Sequence, residues 1–143
     1  MQILPPLLTQ AGQLARLEAS QPLAAGWGEG GFKGEIPLAC AVILTAQEGR
    51  EPIGFICARR AADTAEIVNL AVHPHYTRQG IGGKLLQAVL QRLRSLGVRS
   101  VTLEVNEVNA PAVGLYTRAG FSVWNRRKAF YGRQDALFMG GKL

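Results

Sequence analysis

The sequence predicts an α/β fold built on a mixed sheet, from three observations. Strand signals run back to back over residues 39–74. The hydrophobic period then switches to a helical one over 81–96. Further strands flank a second short helix down to residue 141. Runs of strands crossed by two amphipathic helices require helices packed on a mixed sheet.

Each element has its own signal. Leu7, Leu8, Ala11, Leu14 and Leu17 recur at near-helical spacing, which predicts a helix over 8–19. AAGWGEGGFKG (24–34) holds five glycines and reads as a flexible loop, with a short helix running on from Phe32. ACAVILTA (39–46) and EPIGFICARR (51–60) flank the polar turn QEGRE and read as a hairpin. AEIVNLAVHP (65–74) alternates Ile67, Asn69 and Ala71 with Val68, Leu70 and Val72, and it stops at Pro74, which cannot continue a ladder. GIGGKLLQAVLQRLRSLG carries Leu85, Leu86, Val89, Leu90, Leu93 and Leu96 on one stripe, with Gln87, Gln91, Arg92 and Arg94 on the other face. Gly97 supplies its stop, and Arg92 and Arg94 suit the negative end of its dipole. SVTLEVN (100–106) alternates Val101, Leu103 and Val105 with Thr102, Glu104 and Asn106, the pattern of a half-buried strand. NAPAVGLYTRAG (109–120) is a short capped helix, with an Asn start, Pro111 in the first turn and Gly120 at the end. FSVWNRR (121–127) and DALFMGG (135–141) read as a closing pair of strands.

Composition narrows the class. The chain has 143 residues, 48% hydrophobic and 18% charged, which fits one domain over 1–143 and excludes a disordered chain. The longest apolar stretch, IPLACAVIL (36–44), is too short for the roughly 20 residues a membrane-crossing helix needs. The start, MQILPPLLTQ, lacks a basic n-region and is interrupted by Pro5 and Pro6, so no signal peptide is expected. Cys40 and Cys57 form neither a CxxC pair nor a metal spacing; each sits in an apolar run and is expected to be a buried free thiol of a cytoplasmic protein. His73 and His75 are two possible ligands where zinc wants three or four, so no metal is expected. The net charge of +6 favours anionic partners: nucleic acid, anionic lipid or a multiply phosphorylated cofactor. RRK (126–128) is a short run without interleaved aromatics, which argues against direct nucleic-acid binding.

HYTRQGIGGKLL (75–86) is the most informative piece. A strand ends, glycines follow at 80, 82 and 83, and a helix begins at once. Such a turn brings backbone close to a ligand, and the unpaired N–H groups of the first helical turn suit phosphate. It is not a P-loop, because Leu85 follows Gly83-Lys84 and position 78 is Arg78; it is not a dinucleotide fingerprint, because position 85 is Leu. From the turn alone, an anion site and a plain strand-to-helix connection both remain open.

NLAVHPHYTRQGIGGKLL, LEVNEVNAPAVGLYTRAGF, and RRKAFY with RQDALFM follow one another in the order and spacing of a known family. The chain resembles the GNAT superfamily of acyl-CoA N-acyltransferases. Within it, the resemblance is greatest to the RimI-type branch, which acetylates the N-terminal alanine of a small-subunit ribosomal protein. The likeness covers about residues 51–140 and is loose before them, where a helix, Trp27 and Phe32 carry it. It implies a mixed, mostly antiparallel sheet of about six to seven strands flanked by about four helices. It also implies acetyl-CoA as cosubstrate, a cytoplasmic setting and no membrane partner, with a protein N-terminus as acceptor; the alternatives are a lysine side chain or small-molecule amine as acceptor, or a non-catalytic CoA-binding or ribosome-docking module.

The resemblance further assigns roles. Leu70, Ala71 and Val72 offer main-chain groups to the acetyl-pantetheine arm, as a strand edge left unpaired by a splayed neighbour can. Arg78, Gln79, Gly80, Ile81, Gly82 and Gly83 cradle the pyrophosphate, with Lys84 nearby. Asn109 touches the cofactor; by itself it also reads as a simple N-cap. Glu104 is the general base, through a water, where the residue alone reads equally as a solvated strand carboxylate. Tyr116, two turns after Asn109, is the general acid, where the residue alone reads as a packed aromatic. Phe130 and Tyr131 either wall the acceptor channel or anchor a surface loop; Trp27 and Phe32 either cap the acceptor pocket or anchor a loop to the core. Two departures stand out. Thr77 occupies a position where the family carries Gln or Arg, which predicts weaker coenzyme binding. Gly28 follows the matching Trp where the family often has a Ser or Thr cap, which predicts a mobile 24–34 loop.

Overall fold

The computed structural model describes residues 1–143. Its elements are β1 (Gln2–Leu4), α1 (Ala11–Ala19), α2 (Gly28–Glu35), β2 (Ala41–Glu48), β3 (Glu51–Ala61), β4 (Thr64–Val72), α3 (Ile81–Ser95), β5 (Ser100–Asn106), α4 (Ala110–Arg118), β6 (Ser122–Arg127) and β7 (Ala136–Lys142). The seven strands form one sheet in the order β1-β2-β3-β4-β5-β7-β6. Only β4 and β5 run parallel; every other neighbouring pair is antiparallel. The crossover between those two strands is α3, as a parallel pair requires.

Each face of the sheet has its own apolar layer. Under α3 and α4 lies the larger one, with Leu85, Leu86, Val89 and Leu93 of the predicted stripe against Ile56, Val101 and Met139. Under α1 and α2 lies a smaller one, where Leu14, Leu17 and Phe32 meet Phe55, Cys57 and Ala71. Phe32 is fully buried, edge-on to Phe55 at 5.2 Å and to Trp27 at 5.3 Å. Burying such a ring is worth about 1.5–3 kcal/mol. Phe32 and Trp27 therefore anchor α2 to the sheet, which resolves the two roles open for them.

Four expectations are corrected. Residues 24–34 are not a loop with a late helix, because α2 starts at Gly28. The carboxylate of Glu18, buried at the end of α1, accepts from the N–H groups of Trp27 (2.9 Å) and Gly28 (3.0 Å). A distant side chain thus supplies the acceptor that a local Ser or Thr cap would give. Cys40 is exposed, since β2 begins one residue later; Cys57 alone is buried. The helix over 8–19 begins as a 3-10 turn at Leu8–Gln10 and becomes α-helical at Ala11. The strict alternation expected in 65–74 breaks. Cys57 pairs with Asn69 but Ala58 pairs with Ile67, so Val68 is an extra residue, a β-bulge. β1 is an addition; its three residues, ahead of Pro5-Pro6, are too few to show a period.

The bulge positions everything that follows. β4 and β5 pair from Thr64↔Ser100 only as far as Ile67↔Leu103. Past Val68, β4 stays with β3 to Val72, while β5 stays with β7 to Asn106. The sheet splits there into a V-shaped cleft.

Candidate active site

Two adjoining cavities, of about 490 Å³ and about 520 Å³, fill the cleft. They share Pro22, Leu23, Ala24, Leu70, Asn109 and Ala112 as common walls. The first opens between β4 and β5, and Glu104, Asn109, Tyr116 and Tyr131 all line it. The second runs to the start of α3.

The sequence-predicted cradle lines the second cavity at Arg78, Gly80, Ile81, Gly82 and Gly83, together with Thr77. Arg78 and Gly80 both take left-handed backbone, at φ +64° and +76°. This folds the turn so that α3 begins with its N–H groups aimed outward; the first helical bond is Lys84 N–H to Gly80 O at 3.0 Å. Gly80 needs to be glycine for its dihedral. Gly82 and Gly83 do not: each has ordinary helical backbone, and an added Cβ would sit at ordinary distance, 3.5 Å from Leu115 at Gly82 and 3.7 Å from it at Gly83. Packing leaves their identity unexplained; close approach of a ligand to bare backbone explains it, so these residues fit a diphosphate. Gln79 and Lys84 lie outside the lining, Gln79 donating to His75 O at 3.5 Å. Thr77 donates its hydroxyl to Pro74 O at 3.0 Å, so its side chain serves the turn while the residue lines the cavity.

Along β4 the ladder alternates. His73 N–H donates to Ile53 O at 2.8 Å, and the register pairs Phe55 with Ala71 and Gly54 with Val72. Ala71 is in phase with His73, so its main-chain groups face β3. Those of Leu70 and Val72 face the cleft, where no strand meets them. The Val72 carbonyl accepts from Gln21 Nε2 at 2.9 Å. That leaves both groups of Leu70 and the N–H of Val72 for a ligand, whereas Ala71 lines the second cavity with its main-chain groups turned to β3.

Tyr116, on α4, is 5% exposed and edge-on to Phe121 at 6.1 Å. Burial pushes its phenol well above the ordinary tyrosine value, which keeps the proton on the oxygen. Asn109 caps α4, its Oδ1 accepting from Ala112 N–H at 3.4 Å, and the residue still lines both cavities. The N-cap reading and a ligand contact through its amide are thus compatible. Glu104, exposed on β5 opposite Phe138, accepts a hydrogen bond from the Tyr131 hydroxyl. Tyr131 lines the cavity, whereas Phe130 stands behind it, edge-on at 5.0 Å.

Several residues escape the sequence. Arg118 lines the second cavity from the last turn of α4 and gives that end a second cation beside Arg78. Its only signal is its place two residues after Tyr116. Glu66 joins Glu104 in lining the first cavity, which holds no Lys or Arg. Asn69, on the bulge, donates to Glu18 Oε2 at 2.7 Å and accepts from Ala25 N–H at 3.2 Å. These bonds clamp residues 22–25, the wall facing β5, across a separation in sequence that no local pattern marks.

Comparisons with known proteins agree with this geometry. Residues 15–121 match the Acetyltransferase (GNAT) family. The chain is similar to the ribosomal protein bS18-alanine N-acetyltransferase of Escherichia coli (strain K12), with 38% identity over 89 residues. That match covers 59% of this chain and spans 60% of the relative's length. The crystal structure of the ribosomal-protein-S18-alanine N-acetyltransferase from Escherichia coli superposes with a TM-score of 0.88 at 27% identity, covering 99% of this chain and 92% of that one. The fold also matches a PaiA N-acetyltransferase from Thermoplasma acidophilum, solved in complex with coenzyme A, at TM-score 0.84 and 20% identity, over 99% of this chain and 98% of that one.

Proposed function

The chain belongs to the acetyltransferase (GNAT) family, and from that premise we propose that it transfers an acetyl group from acetyl-CoA to the α-amino group of a protein N-terminus. The acceptor is the N-terminal alanine of a small-subunit ribosomal protein, met in the cytoplasm. The full chain 1–143 works as one catalytic domain. The observation that supports this most is the split of the sheet after Ile67 and Leu103, which opens one trough from bare helix N–H groups to a carboxylate and a phenol.

In this reading the cradle of Arg78 to Gly83, with Arg118, holds the diphosphate. Gly82 and Gly83 give close access, and Ile81 to Gly83 give N–H donors. Leu70 and Val72 bind the amide groups of the pantetheine arm as an added strand would. Bound there, acetyl-CoA supplies an activated acyl group. An acceptor α-amino group has a pKa of about 7.7–8.0 and arrives largely protonated. Glu104, through a water, receives the ammonium proton. The free amine then attacks the acetyl carbon, the C–N bond forming as the C–S bond breaks, while Tyr116 gives its proton to the departing sulfur and regains one from the second proton that the nitrogen sheds. Such acid–base help is worth roughly 10²–10⁴-fold. Asn109 orients the arm from the helix start.

The test follows free thiol release on mixing the protein with acetyl-CoA and a peptide copying the alanine-initiated ribosomal N-terminus. Turnover with acetyl placed on the α-amine is expected. Turnover only with a small amine or a lysine side chain would sink the assigned acceptor, and saturable CoA binding without turnover on any amine would sink the reaction.

A further inference from the structure

Glu104 sits on an exposed strand face, and a carboxylate there has three freely rotating side-chain bonds. The hydrogen bond from Tyr131 ties one of its oxygens. Tyr131 comes from the segment joining β6 to β7, and that segment is itself fastened to the end of β5. Tyr131 N–H donates to Gln134 O at 3.0 Å, and Gln134 Oε1 accepts from Asn106 Nδ2 at 3.2 Å. Asp135 accepts from Ala129 N–H (2.9 Å) and from Arg126 (2.9 Å), and Arg126 also reaches Glu107 at 2.6 Å. The phenol is thus delivered to Glu104 by a loop anchored at Asn106, the last residue of the same strand, and at Glu107 just past its end. Partial burial and the bond to Glu104 both push the Tyr131 phenol above its ordinary value, so it stays a donor through the neutral range.

We propose that Tyr131 is a positioning residue: its hydroxyl holds one oxygen of Glu104 and leaves the other turned into the cavity to receive the acceptor's proton. This rests on the reading of Glu104 as the base. Tyr131→Phe keeps the ring that walls the channel and removes only the hydroxyl. A correctly aimed base is worth a factor of about ten when the tether is a single hydrogen bond.

The experiment is a double-mutant cycle on the full chain with Tyr131→Phe, Glu104→Gln and the pair, with KM for both substrates and thermal unfolding recorded for each. Tyr131→Phe is expected to lower kcat about tenfold, with both KM values within about twofold and an unchanged melting point. In the Glu104→Gln background the same change is expected to alter kcat less than about twofold. An undiminished effect of Tyr131→Phe in that background would overturn the proposal. So would an unchanged kcat, or a rise in acceptor KM alone, which would make Tyr131 an acceptor contact. If Glu104→Gln itself keeps full kcat, the base assignment fails first. If Glu104→Gln is impaired and Tyr131→Phe is not, only the positioning role fails.

Discussion

Tyr116 and Tyr131 are both phenols with raised pKa values, but for different physical reasons, and those reasons predict different behaviour. Tyr116 is raised by burial alone, an environment that penalises phenolate and keeps a proton ready beside the cleft. Tyr116→Phe is expected to lower kcat at least tenfold, within the roughly 10²–10⁴-fold range of general acid–base effects, while calorimetry finds CoA affinity within about twofold. The same burial links stability to pH. The unfolded phenol ionises near pH 10, whereas the folded one does so higher. Stability is therefore full below about pH 10 and is lost as pH rises from there through the folded-state value. Denaturant titrations at pH 9 and 11 check this, with a smaller difference expected for Tyr116→Phe. The cysteines behave as a contrasting pair. Burial pushes the Cys57 thiol well up, while Cys40 is exposed. A thiol reagent at neutral pH is expected to label one cysteine in the native protein and both after unfolding; labelling of both in the native state would contradict the buried position of Cys57.

At the scale of elements, the start of α3 separates what glycine does for the fold from what it does for a ligand. Gly82→Ala and Gly83→Ala put a methyl where the protein has room, in helical backbone that prefers alanine by roughly 0.5–1 kcal/mol. Each variant is expected to melt no lower than the parent, yet to raise the KM for acetyl-CoA several-fold; an unchanged KM would return the turn to a plain connection. Such elements were open to sequence reasoning because their signals are local. The stripe of α3 is a 3.6-residue repeat, the β2–β3 hairpin is marked by its turn, and the glycines lie within four residues of one another. The Val68 bulge is not local in that sense. Val68 and Leu70 are both aliphatic and Asn69 is polar yet buried, so the letters read as regular alternation, and only the register against β3 exposes the extra residue. The start of α2 is hidden in the same way, because its cap comes from Glu18 on another helix. Glu18→Gln replaces one of two acceptor oxygens, which together receive three donors, by an amide donor and is expected to cost about 2–3 kcal/mol, measurable by urea unfolding.

For the whole molecule, the net charge of +6 is less informative than where the cleft puts charge. The end at α3 is lined by Arg78 and Arg118 with no carboxylate, and the end between β4 and β5 by Glu66 and Glu104 with no cation. One trough thus presents opposite fields to the two proposed substrates: positive toward a phosphorylated carrier, negative toward an ammonium. The proposed catalytic pair is legible in the motifs around Glu104 and Tyr116, but this polarity is not, because Glu66 and Arg118 lie 52 positions apart and neither belongs to a recognisable pattern. The field is partly exposed to solvent, so salt should screen it. Raising ionic strength from low to about 0.5 M is expected to raise the KM for acetyl-CoA several-fold with little change in kcat. Arg118→Glu should raise the same KM at low salt, leave the acceptor KM within about twofold, and remove most of the salt dependence. Arg118 stands at the second cavity and not at the first, so an effect of this variant on acceptor KM rather than on acetyl-CoA would reverse the assignment of the two ends.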